Sequence, residues 1–193
     1  LLEEKEEVPS WINDYNMFDD DSQLRLIEEN KKIIENSRVK IEDAKAALER
    51  NNRYKSVLYT SGDQLVSVVF EILQDMIGCD LSPFIDIKKE DFLFEIGDKV
   101  FIGEIKGIST NVKSANISQL DVHIQTYLDN HEDKTLDDIV ALLIINHQRK
   151  KPLAQREDVQ IDQINIACRN KSLILETITL LKMFEKYLKK ELT

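Results

Sequence analysis

Cysteine is scarce in this chain of 193 residues, which contains only Cys79 and Cys168. They form no Cys-x-x-Cys motif, and two cysteines cannot build a disulfide framework. The longest apolar run, near residues 139–145, is far shorter than the roughly 20 residues that span a bilayer. The chain also begins with acidic residues, where a secretory signal peptide would be basic. We therefore expect a soluble protein, with the cytoplasm as the default location.

Several motifs of enzyme sites are absent too. The sequence has no glycine-rich phosphate loop and no Gly-x-Ser-x-Gly nucleophile motif. His131 and His147 lack partners at metal-ligand spacing, so the sequence does not favour a zinc site. An initiator methionine is missing as well, and we expect the sequence to be a portion of a longer protein.

The chain has fewer basic than acidic residues: 26 Lys and Arg against 36 Asp and Glu, which gives a net charge of −10. This balance argues against a general nucleic-acid-binding surface, since attraction to phosphates supplies most of the non-specific affinity. The charge is uneven, however. The first 43 residues are heavily acidic, whereas residues 141–156 contain no Asp or Glu and several basic side chains. The overall charge therefore does not exclude a nucleic-acid ligand.

The pattern along the chain predicts three regions. Residues 1–20 are an acidic tail or the remnant of an upstream segment, 21–56 a long helix, and 57–193 a compact domain. The helix has an apolar residue every seven positions: Ile27, Ile34, Ile41 and Leu48. The positions between them are small or polar (Asn30, Ser37, Ala44 and Asn51), which is half of a coiled-coil seam. The helix is either a stalk in an oligomer or between domains, or a helix lying on its own domain.

The order of helices and strands in the compact domain, residues 57–193, predicts an α/β fold with a mixed sheet and helices on both faces. A helix over 63–77 ends at Gly78, and a β-hairpin follows. The remaining elements are a helix at about 117–129, a buried strand at 139–146, a helix near 160–169, a strand at 173–177 and a helix at 179–191.

The hairpin is the most informative of these elements. Residues 91–96 and 99–105 are rich in aromatic and β-branched side chains, and Gly97-Asp98 between them suits a two-residue turn. With that turn, Ile96 lies opposite Lys99.

Counting outward from the turn places Asp91 opposite Glu104. Side chains in such a pair lie about 4.5–5.5 Å apart at Cβ, where two carboxylates repel unless a cation lies between them. Lys106 points to the same side as Glu104. These are the parts needed for magnesium-dependent phosphodiester hydrolysis. A one-residue slip would put Glu90 on the same face, so Glu90 and Asp86 are candidates for additional or substitute ligands.

The residues from about Lys55 to Phe184 resemble the PD-(D/E)XK, or restriction-endonuclease-like, nuclease superfamily. In that superfamily a hairpin carries the Asp and Glu-x-Lys of the active site, which Asp91 and Glu104-Ile-Lys106 match. Other segments resemble an uncharacterised prokaryotic subgroup: Leu58-Tyr-Thr-Ser-Gly-Asp-Gln-Leu65, Phe101-Ile-Gly-Glu-Ile-Lys-Gly107, Asn116-Ile-Ser-Gln-Leu120, and Asn146-His-Gln-Arg149 with Pro152 and Arg156.

The resemblance implies a Mg²⁺-dependent endo- or exonuclease acting on DNA, with Mn²⁺ as a substitute. Asp91, Glu104 and the backbone carbonyl of Ile105 would bind the metal. Lys106 would orient the attacking water or stabilise developing charge, and Gln119 would steady the site.

One departure concerns the first helix, where many superfamily members have a glutamate just after a leucine. The position after Leu65 is Val66. Glu71 lies on the same helix, and it is either a metal-side glutamate or a solvated or salt-bridged residue. The net charge and Val66 favour an alternative, a weak or inactive nuclease-fold module that serves in binding or as a scaffold.

For some further residues the sequence allows two interpretations. His123 shares a helix face with Gln119, and it either contacts a phosphate or packs, partly buried, against the sheet. Asn146, Arg149 and Arg156 follow the buried strand, at a sheet end where α/β proteins commonly bind ligands. They either bind the substrate backbone or form a solvated basic loop.

Overall fold

The computed structural model describes residues 7–78 and 91–192. The chain divides into two compact units, one up to Glu49 and the other from Arg50. A 3-10 turn at Ser10–Asp14 precedes helix α1, Asp20–Lys55. In the described part of the chain, no helix is both long enough and apolar enough to cross a membrane.

Helix α1 forms because its 36 residues include neither Gly nor Pro and place ion pairs along the helix surface. Glu42 and Lys45 lie 2.8 Å apart, for example. Such exposed pairs add only a few tenths of a kcal/mol each. No residue of α1 is buried within the described chain, and the side chains at the seven-residue spacing are all more than half exposed.

The second unit contains four helices and four strands in its described residues. In chain order they are α2 (Asp63–Ile77), β1 (Phe92–Ile96), β2 (Lys99–Gly107), α3 (Ser114–Asn130), β3 (Ile139–Asn146), α4 (Ile161–Arg169), β4 (Ser172–Glu176) and α5 (Thr177–Leu188). Short 3-10 turns lie at Ser56–Leu58, Leu136–Asp138 and Leu153–Gln155. The predicted α/β architecture is confirmed, although α3 begins three residues earlier than expected and α5 ends three residues earlier.

The strands form one mixed sheet in the order β1-β2-β3-β4. Strands β1 and β2 are antiparallel, whereas β2, β3 and β4 run parallel. Parallel neighbours need a crossover connection, which α3 supplies between β2 and β3 and α4 supplies between β3 and β4. The carboxyl ends of the three parallel strands therefore meet at one edge of the sheet.

The hairpin has the predicted register. Gly97 has a φ of +63°, whereas the φ of Asp98 is not positive. This is the pattern of a type II′ turn. Ile96 pairs with Lys99, and the pairing continues to Phe92 and Gly103.

Helices cover both faces of the sheet. Helices α2 and α5 bury one face, where Phe92 and Ile105 lie in the core, while α3 and α4 bury the other, around Ile102 and Leu143. Side chains alternate between faces along a strand. Glu104 and Lys106 therefore share the α3 face with Ile102.

Candidate active site

Glu104 is a buried carboxylate in the middle strand pair of the sheet. Its side chain is 3% exposed, because it stands on β2 beneath α3. Lys106, two residues along the same strand, forms an ion pair with Glu104 Oε1 and is 31% exposed. The Glu-Ile-Lys sequence therefore places an acid inside the protein and its cation at the boundary with solvent.

Asp91, directly before β1, lies against the same part of β2. Its backbone N–H donates to Gly103 O at 3.1 Å, and its Oδ2 accepts the Ile105 N–H at 2.6 Å. The residues that it binds are those on either side of Glu104. The register that pairs Phe92 with Gly103 thus brings Asp91 next to Glu104, as the turn geometry predicts.

Helix α3 supplies two more side chains to Glu104. Gln119 Nε2 donates to Glu104 Oε1 at 2.9 Å. His123, one turn later and buried, places its Nε2 at 3.2 Å from Glu104 Oε2. Tyr127 lies a further turn along but is hydrogen-bonded to Glu95. Burial raises the Tyr127 pKa, and the Glu95 carboxylate raises it further.

Burial is the main electrostatic influence on Glu104. It raises the pKa of this carboxyl, and the nearby Asp91 charge raises it further, whereas the hydrogen bond from Lys106 lowers it. Glu104 Oε1 has two donors, whereas Oε2 accepts no hydrogen bond of good geometry from the described residues, although His123 Nε2 lies 3.2 Å from it. A buried carboxylate oxygen without a donor is suited to a cation.

The donor set fits Mg²⁺, which proteins commonly bind through one or two carboxylates while the ion keeps several waters. Asp91 and Glu104 supply two carboxylates. The Ile105 N–H points to Asp91, and in a strand the carbonyl of the same residue points to the same edge. Within the described residues no group of three or more His, Cys, Asp or Glu forms a metal cluster. Asp86 and Glu90 lie outside the described residues.

Glu71 lies elsewhere on the sheet's α2 side. Its Oε2 accepts a hydrogen bond from Arg53 Nε at 2.6 Å, which matches the salt-bridged reading. Val66 packs against the hydrophobic cluster of that face. Val66, where the resemblance led us to expect a glutamate, is therefore a partly buried apolar residue.

The three residues after the buried strand have different environments. Asn146 is fully buried, and Arg156 donates to its Oδ1 at 2.9 Å. The Arg156 guanidinium also donates to the carbonyls of Leu58 and Lys151. Arg149 differs, because its Nε is buried and has no acceptor among the described residues. Asn146 and Arg156 thus bond to other parts of the fold, whereas one donor of Arg149 has no acceptor among the described residues.

The structure also brings together a pair that the sequence did not reveal. His147 Nε2 lies 2.8 Å from Glu176 Oε2, and both residues line a cavity of about 540 Å³ at the start of α5. The two residues are 29 positions apart and meet because Ile145 and Glu176 are partners in the sheet. No spacing motif in the sequence signals this pair.

No protein-family model matches this chain, and searches of curated proteins and of solved structures give no match either.

Proposed function

We propose that the second unit is a metal-dependent nuclease domain that hydrolyses phosphodiester bonds of DNA. The observation that carries the proposal is the convergence of Asp91, Lys106 and Gln119 around the buried Glu104 carboxylate. Two carboxylates beside an ammonium are the side chains that magnesium-dependent phosphodiester hydrolysis requires.

Each residue has a definite role in this proposal. Asp91, Glu104 and the Ile105 carbonyl would hold Mg²⁺ or Mn²⁺. The bound ion would supply a more acidic water and offset charge on the phosphate. Lys106 would orient the attacking water or stabilise the negative charge that develops on the phosphoryl oxygens. Gln119 fixes the orientation of the Glu104 carboxylate through their hydrogen bond.

Cleavage of labelled DNA in Mg²⁺, Mn²⁺ or EDTA tests the proposal. The wild-type protein should cleave only with a metal, and Lys106→Ala should abolish cleavage. Lys99→Ala is the matched control, because Lys99 lies at the other end of β2 and binds the Asp137 carbonyl at 2.8 Å. Intact DNA after incubation of a DNA-binding wild-type protein with either metal contradicts the proposal.

The second candidate is a nuclease-fold module that binds or acts as a scaffold without cleaving. It is favoured by Val66, which is apolar and packs against the core, and by the direct ion pair of Lys106 with Glu104. Calorimetric titration with Mn²⁺ separates the two candidates. A nuclease should show a binding isotherm that Glu104→Gln removes, whereas a scaffold with a degraded site should show none.

A further inference from the structure

Arg156 binds three separate segments at the carboxyl-end edge of the sheet. Its Nη1 donates to Asn146 Oδ1 at 2.9 Å, at the end of β3. Its Nη2 donates to Leu58 O at 2.5 Å, and its Nε donates to Lys151 O at 3.1 Å. A guanidinium holds its donors in a rigid plane. These segments are therefore fixed relative to one another.

Asn146 also bonds to one of these segments, residues 58–60, which Arg156 already binds through the Leu58 carbonyl. Its Nδ2 donates to Thr60 O at 3.0 Å. Asn146 is the sheet partner of Gly107, the residue that follows Lys106. A Cβ on Gly107 would lie 2.6 Å from Thr60 O, so only glycine allows this approach. The 58–60 segment therefore lies directly on the end of the strand that carries Lys106.

Arg149 lies within the region that these bonds hold. Its backbone N–H donates to Ile108 O at 3.1 Å, and its carbonyl accepts from Arg156 Nη2 at 3.5 Å. Its Nη1 donates to Tyr59 O at 3.4 Å, while the buried Nε has no acceptor in the described chain. Arg149 as a whole is only partly buried, so its guanidinium is within reach of a ligand at the surface. A guanidinium with an unpaired donor suits an anionic oxygen, and phosphate matches the arginine fork.

We infer that Arg156 is a positioning residue that presents Arg149 to a backbone phosphate of a nucleic-acid strand. Arg156 is the positioning group and not the phosphate ligand, because four of its five N–H donors already bond to acceptors in the protein: Asn146 Oδ1 and the carbonyls of Leu58, Arg149 and Lys151. Arg149 is the residue that contacts the ligand, at the sheet edge where β2 ends just beyond Lys106. The identity of the ligand as nucleic acid rests on the proposed nuclease function.

A binding experiment without cleavage tests this inference. A fluorescent DNA oligonucleotide, single-stranded or annealed to its complement, is titrated in EDTA with wild type, Arg149→Gln, Arg156→Lys and the double variant. Each single variant should bind roughly tenfold more weakly, as for one lost charge-assisted hydrogen bond. The double variant should bind no more weakly than Arg149→Gln, because both changes remove one contact. Arg169→Gln, an exposed arginine on α4, is the control and should bind like wild type.

The salt dependence of binding separates positioning from a general structural role. Losing one phosphate contact should reduce the slope of log K against log salt by about 0.7–0.9. Arg156→Lys keeps its charge, yet its slope should fall as far as that of Arg149→Gln. Asn146→Ser, which releases Thr60 by another route, provides the same test if thermal unfolding shows that Arg156→Lys does not fold.

The outcomes distinguish this inference from the nuclease proposal. The inference is overturned if the affinity losses of the two single variants multiply in the double variant. It is also overturned if Arg156→Lys leaves the salt slope unchanged. Both results hold even if the wild-type protein cleaves DNA. A wild-type protein that binds but does not cleave DNA removes the nuclease proposal and leaves the positioning role intact. A wild-type protein that binds neither form of the oligonucleotide in EDTA overturns the inference, and the cleavage assay with metal then decides the nuclease proposal by itself.

Discussion

Asp91 Oδ2 accepts a hydrogen bond from the backbone N–H of Ile105 at 2.6 Å. Ile105 is the middle residue of the Glu-Ile-Lys sequence, so this bond fastens the start of the hairpin to the centre of the candidate site. The Asp91 carboxylate also lies close enough to raise the Glu104 pKa. One side chain therefore has a structural function and, in the proposed nuclease, a metal-binding function.

Two substitutions at Asp91 separate these functions. Asp91→Asn keeps an oxygen that can accept the Ile105 N–H but loses the charge, so the protein should fold normally and cleave DNA at least roughly a hundredfold more slowly. Asp91→Ala loses both, and its free energy of unfolding should fall by about 1–3 kcal/mol. Denaturant unfolding and the cleavage assay measure the two effects. Wild-type cleavage by Asp91→Asn would remove the metal-binding role.

The hairpin part of the site could be predicted because its geometry is local. A glycine-first turn and the alternation of a strand set the register, and register alone brings Asp91, Glu104 and Lys106 together. The convergence of Gln119 on Glu104 came from the family resemblance, since nothing local connects α3 with β2.

The arrangement around Arg156, at the carboxyl ends of the parallel strands, could not be predicted, because it depends on contacts between distant segments. Arg156 and Leu58 are 98 positions apart, and the bond between them requires the complete order of strands and loops. For Arg156 the sequence leaves a substrate contact and a solvated loop as alternatives, and it does not indicate that the guanidinium bonds to the fold. The start of α3 at 117 was wrong because Asn116 Oδ1 accepts the Lys113 N–H at 2.9 Å, which places Asn116 inside the first turn.

Gln119→Ala should weaken the site without unfolding the protein. The change removes a donor from Glu104 Oε1, and partners that orient a metal ligand typically contribute 10–100-fold to metal affinity or activity. Calorimetric titration with Mn²⁺ and cleavage rates measure the loss. Gln125→Ala, an exposed glutamine on the same helix, is the control. Equal behaviour of the two variants would show that the hydrogen bond to Glu104 has no functional role.

Gly103 is fixed by the ring of Phe92. A Cβ at position 103 would lie 1.8 Å from Phe92 Cζ, so Gly103→Ala should lower the free energy of unfolding by about 1–3 kcal/mol through overpacking. Phe92→Leu in the same chain should restore part of this loss, because the smaller side chain leaves room for the methyl group. Chemical denaturation of the single and double variants measures the coupling. Additive losses would show that the ring is not the obstacle.

The exposed apolar stripe of α1 should bring chains together. Ile34 and Ile41 are each 53% exposed and lie seven residues apart, a spacing that favours a neighbouring helix. In Ile34→Glu with Ile41→Glu, light scattering should therefore report a fall from the mass of an oligomer to that of one chain of 22.4 kDa. Val39→Glu is the control, because Val39 is 54% exposed on the same helix but lies off the stripe, and it should keep the oligomer. A wild-type protein with the mass of a single chain contradicts this prediction, because the stripe would then have no partner among copies of the same chain.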